Sequence, residues 1–130
     1  MEAVTVELNH TIVHARDAEG SARWAAEMLD LPEPSPFGHF WVVQTTNGVS
    51  LDYSDVDHEV PSQHYAFLVS EDQFDRTYTR IVEREVEHWA DPGRSRPGEI
   101  NRNDGGRGVY FLDPEGHLLE IITRPYGSGG

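Results

Sequence analysis

Apolar and polar residues alternate from Val4 to His14, with Val4, Val6, Leu8 and Ile12 on one parity and Thr5, Glu7, Asn9 and Thr11 on the other. That is the period of a strand, and His10, sharing the apolar parity, is expected to point inward. Asp17 serves as N-cap for a helix through about Leu29, which Pro32 closes. Phe40-Trp41-Val42-Val43 and Val49-Ser50-Leu51-Asp52-Tyr53 form a hairpin turning at Asn47-Gly48, a preferred turn pair. Asp55 to Pro61 is polar and separates the two halves of the chain.

The second half repeats the plan. His64 to Val69 is apolar on both parities, as for a strand covered on both faces. Ser70 and Gln73 have capping-box spacing for a helix to roughly Arg84, with Phe74, Tyr78, Ile81 and Val82 as its apolar stripe. A short strand at His88-Trp89-Ala90 precedes a loop from Asp91 to Arg107. Strands around Val109 to Leu112 and His117 to Thr123 are joined by the turn Asp113-Pro114-Glu115-Gly116. A strand and helix followed by three strands, twice over, predicts an α+β fold with two pseudo-equivalent sheets.

The repeat extends to polar chemistry. His10 precedes Asp52 by 42 positions and His64 precedes Glu120 by 56, and the long second-half loop holds the surplus of 14. Two histidines and two carboxylates around one point would suit a divalent metal with N/O ligands. Taken singly, a histidine on an apolar strand is as well read as a hydrogen-bonded core residue. Glu120 is more telling, since it shares parity with Leu118 and Ile122 and a carboxylate is rarely buried without a partner. Its rival role is a structural ion pair with Arg107 or Arg124. Asp52 shares parity with Ser50 and Ser54, so a solvated strand face explains it nearly as well.

Composition narrows the classes. The 130 residues suffice for a single core, and the formal net charge of −13 disfavours nucleic acid and anionic membrane as partners. With no cysteine, disulfides, thiolate metal sites and cysteine nucleophiles are excluded. The N-terminus lacks the basic and apolar regions of a signal peptide, so a cytoplasmic location is expected. Arg94, Arg96, Asn101, Arg102, Asn103 and Arg107 concentrate positive and polar character in the long loop, either to meet an anionic substrate group or as a solvated surface. His14, His39, His58, His88 and His117 remain; only His39, heading a strand, is kept as a candidate functional residue, and the others are read as surface residues. The tail from Tyr126 to Gly130 is expected to be flexible and without chemistry.

Val109-Tyr110-Phe111-Leu112-Asp113-Pro114-Glu115-Gly116-His117-Leu118-Leu119-Glu120 resembles the aromatic–DP-x-G–strand–Glu signature of the vicinal oxygen chelate superfamily. That superfamily includes glyoxalase I, extradiol dioxygenases, methylmalonyl-CoA epimerase and the fosfomycin and bleomycin resistance proteins. The resemblance runs from about Val6 to Arg124. It implies a single glyoxalase/dioxygenase-like domain of two βαβββ modules, about 4–56 and 62–124, forming a cupped mixed sheet around a central site. It places metal ligands at His10, Asp52, His64 and Glu120, although glyoxalase I and the epimerase carry a longer Glu or Gln where Asp52 stands. Tyr110 precedes Glu120 by ten residues, a spacing similar to that of the active-site tyrosine and terminal glutamate ligand of extradiol enzymes, where a phenol could hydrogen-bond a metal-bound catecholate; aromatic packing is the alternative. The resemblance thus implies Fe²⁺, Mn²⁺, Ni²⁺ or Zn²⁺ as cofactor, a small-molecule substrate or drug, and a homodimer. Tyr110 and Glu120 point to a ring-cleaving extradiol dioxygenase, with a glyoxalase-type lyase or isomerase, or a metal-free bleomycin-type sequestering protein, as the alternatives.

Overall fold

The computed structural model describes residues 3–129. The first half comprises β1 (His10–Ala15), α1 (Ala18–Leu29), β2 (Ser35–Phe37), β3 (Phe40–Gln44) and β4 (Ser50–Asp55). The second comprises β5 (His64–Leu68), α2 (Glu71–Glu83), β6 (His88–Trp89), β7 (Gly108–Leu112) and β8 (Leu118–Ile122). They build two four-stranded mixed sheets, ordered β1-β4-β3-β2 and β5-β8-β7-β6. In each, the module's first and last strands pair in parallel and the rest are antiparallel. The architecture is the expected α+β pair of βαβββ modules.

Local chemistry accounts for most element ends. Asp17 caps α1 by accepting from the Gly20 N–H at 3.0 Å, and Asp30 ends it in the left-handed conformation. Ser70 caps α2 through the Gln73 N–H at 3.1 Å. The reciprocal half of the capping box is absent, because the Gln73 amide donates instead to Asp30 at 3.0 Å and Thr77 at 3.1 Å. Gly48 supplies the positive φ of the β3–β4 turn. Among the α2 residues, Phe74, Thr77 and Ile81 are buried, whereas Val82, counted in the apolar stripe, is exposed.

The strands depart from the sequence reading in three places. The first strand begins at His10 rather than Val4, because β4 starts at Ser50 opposite His10 and its N–H meets the Asn9 carbonyl at 3.0 Å. Residues 3–9 therefore have no strand to pair with, and Val4, Val6 and Leu8 are 87%, 85% and 70% exposed. Second, the inward parity of β1 belongs to Val13 and Ala15, so His10, Ile12 and His14 lie on the open face. Third, β2 escapes the sequence pattern because Pro36 interrupts it; an edge strand tolerates a residue with no N–H to give.

The core is graded. Ala18, Ala22, Ala25 and Ala26 let α1 lie close on Val13, Val43, Leu51 and Tyr53. Phe74 and Ile81 of α2 pack on Val109, Phe111, Leu119 and Ile121, joined by Met28 and Leu29 from the end of α1. Trp24, Leu31, Tyr65 and Phe67 touch both clusters, so one apolar interior runs through the two modules. Two polar ties cross it. The Thr77 hydroxyl donates to the buried Met28 carbonyl at 2.7 Å. His117, expected at the surface, is buried. Its Nδ1 accepts from the Gln63 N–H at 3.0 Å, which leaves Nε2–H to donate to the His14 carbonyl at 2.8 Å. The Asp113 carboxylate receives the N–H groups of Glu115 and His117 at 2.9 and 2.8 Å, closing the Asp113–Gly116 turn. Burial nevertheless pushes its carboxyl above the ordinary range.

Candidate functional site

The parallel pairing of β5 with β8 sets His64 opposite Leu118 and Ala66 opposite Glu120, and β7 brings Tyr110 opposite Glu120 from the other side. The three side chains thus rise from adjacent strands onto one face. His64 Nδ1 donates to the Leu118 carbonyl at 2.9 Å, which fixes the ring and presents Nε2 to Glu120 Oε1 at 3.1 Å. The Tyr110 ring stacks near that imidazole with centroids 5.8 Å apart. Glu120 is 0% exposed, whereas His64 is open to solvent on its other side.

The second oxygen of Glu120 has an unexpected partner. Tyr126, in the tail expected to be flexible and inert, donates its hydroxyl to Glu120 Oε2. Tyr110 Oη lies 2.9 Å from Tyr126 Oη. Since the Tyr126 proton is committed to the carboxylate, the hydrogen between the phenols is supplied by Tyr110. Burial, followed by the hydrogen bond to the Glu120 carboxylate, pushes the Tyr126 hydroxyl well above its ordinary pKa; burial also raises that of Tyr110. Both phenols stay protonated at neutral pH. The sequence signal for Tyr126 is slight: one aromatic fixed by Pro125 in an otherwise Gly/Ser-rich tail.

No guanidinium or ammonium group within the described residues pairs with Glu120. Arg107 is held by Glu71 and Asp75, both at 2.8 Å, and its guanidinium lies over the Phe74 ring. Arg124 turns to the Ser128 carbonyl at 3.2 Å. Much of the polar and positive cluster read in the long loop is likewise committed elsewhere. Arg94 lies over Trp89, Arg96 faces Glu99 at 3.7 Å, and the buried Asn101 amide donates to the Ala90 carbonyl at 2.8 Å.

His10 and Asp52 occupy the equivalent face of the first sheet, across an open cleft of about 470 Å³ shared with Phe37, Phe40 and Ser50. They do not meet. His10 Nδ1 bonds the Asn9 side chain at 2.7 Å, and Asp52 accepts from the Ser50 hydroxyl at 2.9 Å. Within one chain, no three His, Asp or Glu side chains among the described residues gather closely enough to hold an ion. His39 lies in the exposed β2–β3 turn, its ring tilted against Phe40 with centroids 4.3 Å apart, and directly precedes β3 rather than lying in it.

Comparison with known proteins gives this geometry a context. A family model described as the Glyoxalase/Bleomycin resistance protein/Dioxygenase superfamily matches residues 7–121. The structure of a protein described as oxidase ChaP-H1 superposes with a TM-score of 0.93 at 62% sequence identity, covering 95% of this chain and 99% of that one. The chain is 29% identical over 127 residues to the glutathione transferase FosA of Serratia marcescens, covering 88% of this chain and 78% of the relative. It is 43% identical over 60 residues to the metallothiol transferase FosB of Shouchella clausii (strain KSM-K16), 46% of this chain but only 37% of that protein's length. No helix of the described residues is long and apolar enough to cross a membrane.

Proposed function

The chain belongs to the Glyoxalase/Bleomycin resistance protein/Dioxygenase superfamily, and on that premise we propose that it is a divalent-metal enzyme that oxidises a small molecule bearing two adjacent oxygens, by extradiol-type ring cleavage. The observation that carries the metal reading is Glu120. A fully buried carboxylate that faces an imidazole and a phenol, with no guanidinium or ammonium beside it among the described residues, is a place where a cation would be well accommodated. His64 Nε2 and Glu120 Oε1 are an imidazole–carboxylate pair on stiff neighbouring strands, a donor set that fits Fe²⁺, Mn²⁺, Ni²⁺ or Zn²⁺. The similarity to a protein described as an oxidase favours oxidation over glyoxalase-type lyase chemistry or drug sequestration.

The third ligand, in this reading, is His10 of a second copy. Both β1 and β5 are free sheet edges, and the face of β1 that carries His10 also carries exposed Ile12. Leu68, at the end of β5, and Val4, Val6 and Leu8 are exposed as well, apolar area of the kind that an interface covers. A homodimer would then cover that surface and complete each site with one imidazole from the other chain. Asp52, tied to Ser50, is left outside the ligand set.

A bound ion would act as Lewis acid and template for a chelating diol and dioxygen. The protein's own groups have narrower tasks. His64 is oriented by the Leu118 carbonyl, and Glu120 is held by Tyr126. With its proton given to Tyr126, Tyr110 presents lone pairs, so it accepts a hydrogen bond from a substrate hydroxyl rather than donating to a catecholate as the resemblance implies.

Anaerobic loading with Fe²⁺, then air and a panel of catechols, should give oxygen uptake and a yellow ring-opened product. Turnover of a thiol adduct without oxygen uptake would move the protein to the lyase class. Tight binding of a cationic drug without turnover would make it a sequestering protein.

A further inference from the structure

The tail beyond β8 is folded back and fastened. Arg124 reaches the Ser128 carbonyl at 3.2 Å, and the Ser128 hydroxyl donates to the Pro125 carbonyl at 2.6 Å. The Gly127 N–H donates to the Asp104 carboxylate at 3.1 Å. Asp104 lies in the 3₁₀ turn Asn103–Gly105 with φ of 57°, and a Cβ on Gly129 would collide with its backbone. Two segments that the sequence offers as a solvated loop and a loose end are therefore built against each other. Between those fastenings, Tyr126 is 61% exposed overall, yet its hydroxyl reaches the fully buried Glu120 carboxylate.

We propose that this strap is a positioning device: Tyr126 occupies Glu120 Oε2, reserving Oε1 beside His64 Nε2 for the metal, so that Glu120 coordinates through one oxygen only. The proposal rests on the metal reading above. Its physical basis is that an ionised carboxylate has two equivalent oxygens and binds ions through either one or both. A donor fixed on one oxygen removes the two-oxygen mode and the entropy of choosing between them. Tyr110 supports the arrangement by donating to Tyr126 at 2.9 Å, which keeps the Tyr126 proton directed at Glu120. The long loop then acts through Asp104, as the anchor of the strap.

The test uses Co²⁺ on the full chain, because its visible d–d absorption falls as coordination number rises. Affinity is measured by competition with a chelator, alongside the spectrum and the melting temperature of the metal-free protein. Tyr126→Phe, which keeps the ring and loses the hydroxyl, should weaken Co²⁺ binding about 10- to 100-fold, the range for losing an outer-sphere partner. It should also lower the absorption intensity as the freed Oε2 joins the ion, a change that a merely structural residue would not produce. Asp104→Ala, which loosens the strap but keeps the phenol, should give a smaller loss in the same direction. If wild type binds Co²⁺ and Tyr126→Phe matches it in affinity and spectrum, the strap does not position Glu120 and the metal reading stands. If wild type binds no Co²⁺, the metal reading falls and this inference with it.

Discussion

Across its parallel strand pair, each module places a histidine at the start of the first strand and a carboxylate inside the last, with Ile12 facing Asp52 in one and Ala66 facing Glu120 in the other. What each does with this frame differs. In the second module the carboxylate is one methylene longer and fully buried, and it meets the imidazole on one oxygen and a phenol on the other. In the first, Asp52 stays with Ser50 and His10 with Asn9, both on the rim of an open cleft. The same register therefore yields a charged cluster in one sheet and an unspent histidine in the other. Duplicating a scaffold does not duplicate a site. The packing diverges too, with alanines closing the first module's helix onto its sheet and Phe74, Ile81 and Phe111 filling the second.

The largest effect that should separate the modules is on stability. Phe111, fully buried in the second cluster, should cost about 3–5 kcal/mol when replaced by alanine, because the helix and strands around it relax only partly into the space left behind. Chemical denaturation measures it; a loss below about 1 kcal/mol, the scale of minor repacking, would mean the second core is looser than its contacts imply.

Glu120→Gln sharpens the comparison at the site. The amide oxygen can still accept from Tyr126 and the NH₂ can donate to His64, so the metal-free fold should change by less than about 1 kcal/mol. Metal affinity should fall more than about 100-fold, beyond the cost of losing an outer-sphere group. Destabilisation of the metal-free protein by about 3–5 kcal/mol would instead mark a broken buried ion pair and return Glu120 to a structural role.

Asp30, at the junction of α1 and α2, offers a smaller and pH-dependent effect. Its hydrogen bonds with Arg80, Gln73 and Arg76 hold its carboxyl at about 2, below the usual 3.8. A depressed folded-state pKa gives stabilisation that is complete above the unfolded value and lost as pH falls through the folded one. Wild type should therefore lose this contribution between about pH 4 and pH 2, and Asp30→Asn should not. Partial exposure of the pair limits the loss to about 1 kcal/mol or less. Equal acid unfolding of the two proteins would show that the helix junction does not depend on this charge.

Most of the scaffold was legible in the chain because periodicity, caps and turn residues agree: Asp17, Ser70, Asn47-Gly48 and Asp113-Gly116 all act where their chemistry suggests. The failures have specific causes. Alternation shows that Val4 to Ile12 is strand-like but not which parity meets the core, nor that β4 ends its partnership at His10. Pro36 hides an edge strand. At the site, the pairing of His64 with Glu120 was readable from parity and spacing. Tyr126 was not, because its position depends on Asp104, 22 residues earlier, turning back to receive the tail. His117 was misplaced for a similar reason: its partners, His14 and Gln63, come from segments remote in sequence.

The central claim is that the first module lends His10 to the second module's pair in another copy of the chain. Mixing His10→Ala with His64→Ala tests it most directly. Each variant alone should bind negligible metal at its sites and show no oxygen uptake. In a mixed dimer, intact His64 and Glu120 from one chain meet intact His10 from the other, and the second site is doubly impaired. Random re-pairing of equal amounts should therefore restore about a quarter of the wild-type sites, as two-fold symmetry requires. Recovery near that level, in both metal content and activity, is the predicted result. If the mixture stays as inert as its parts, or if His10→Ala alone retains full metal and activity, the site is not shared between copies and the account fails.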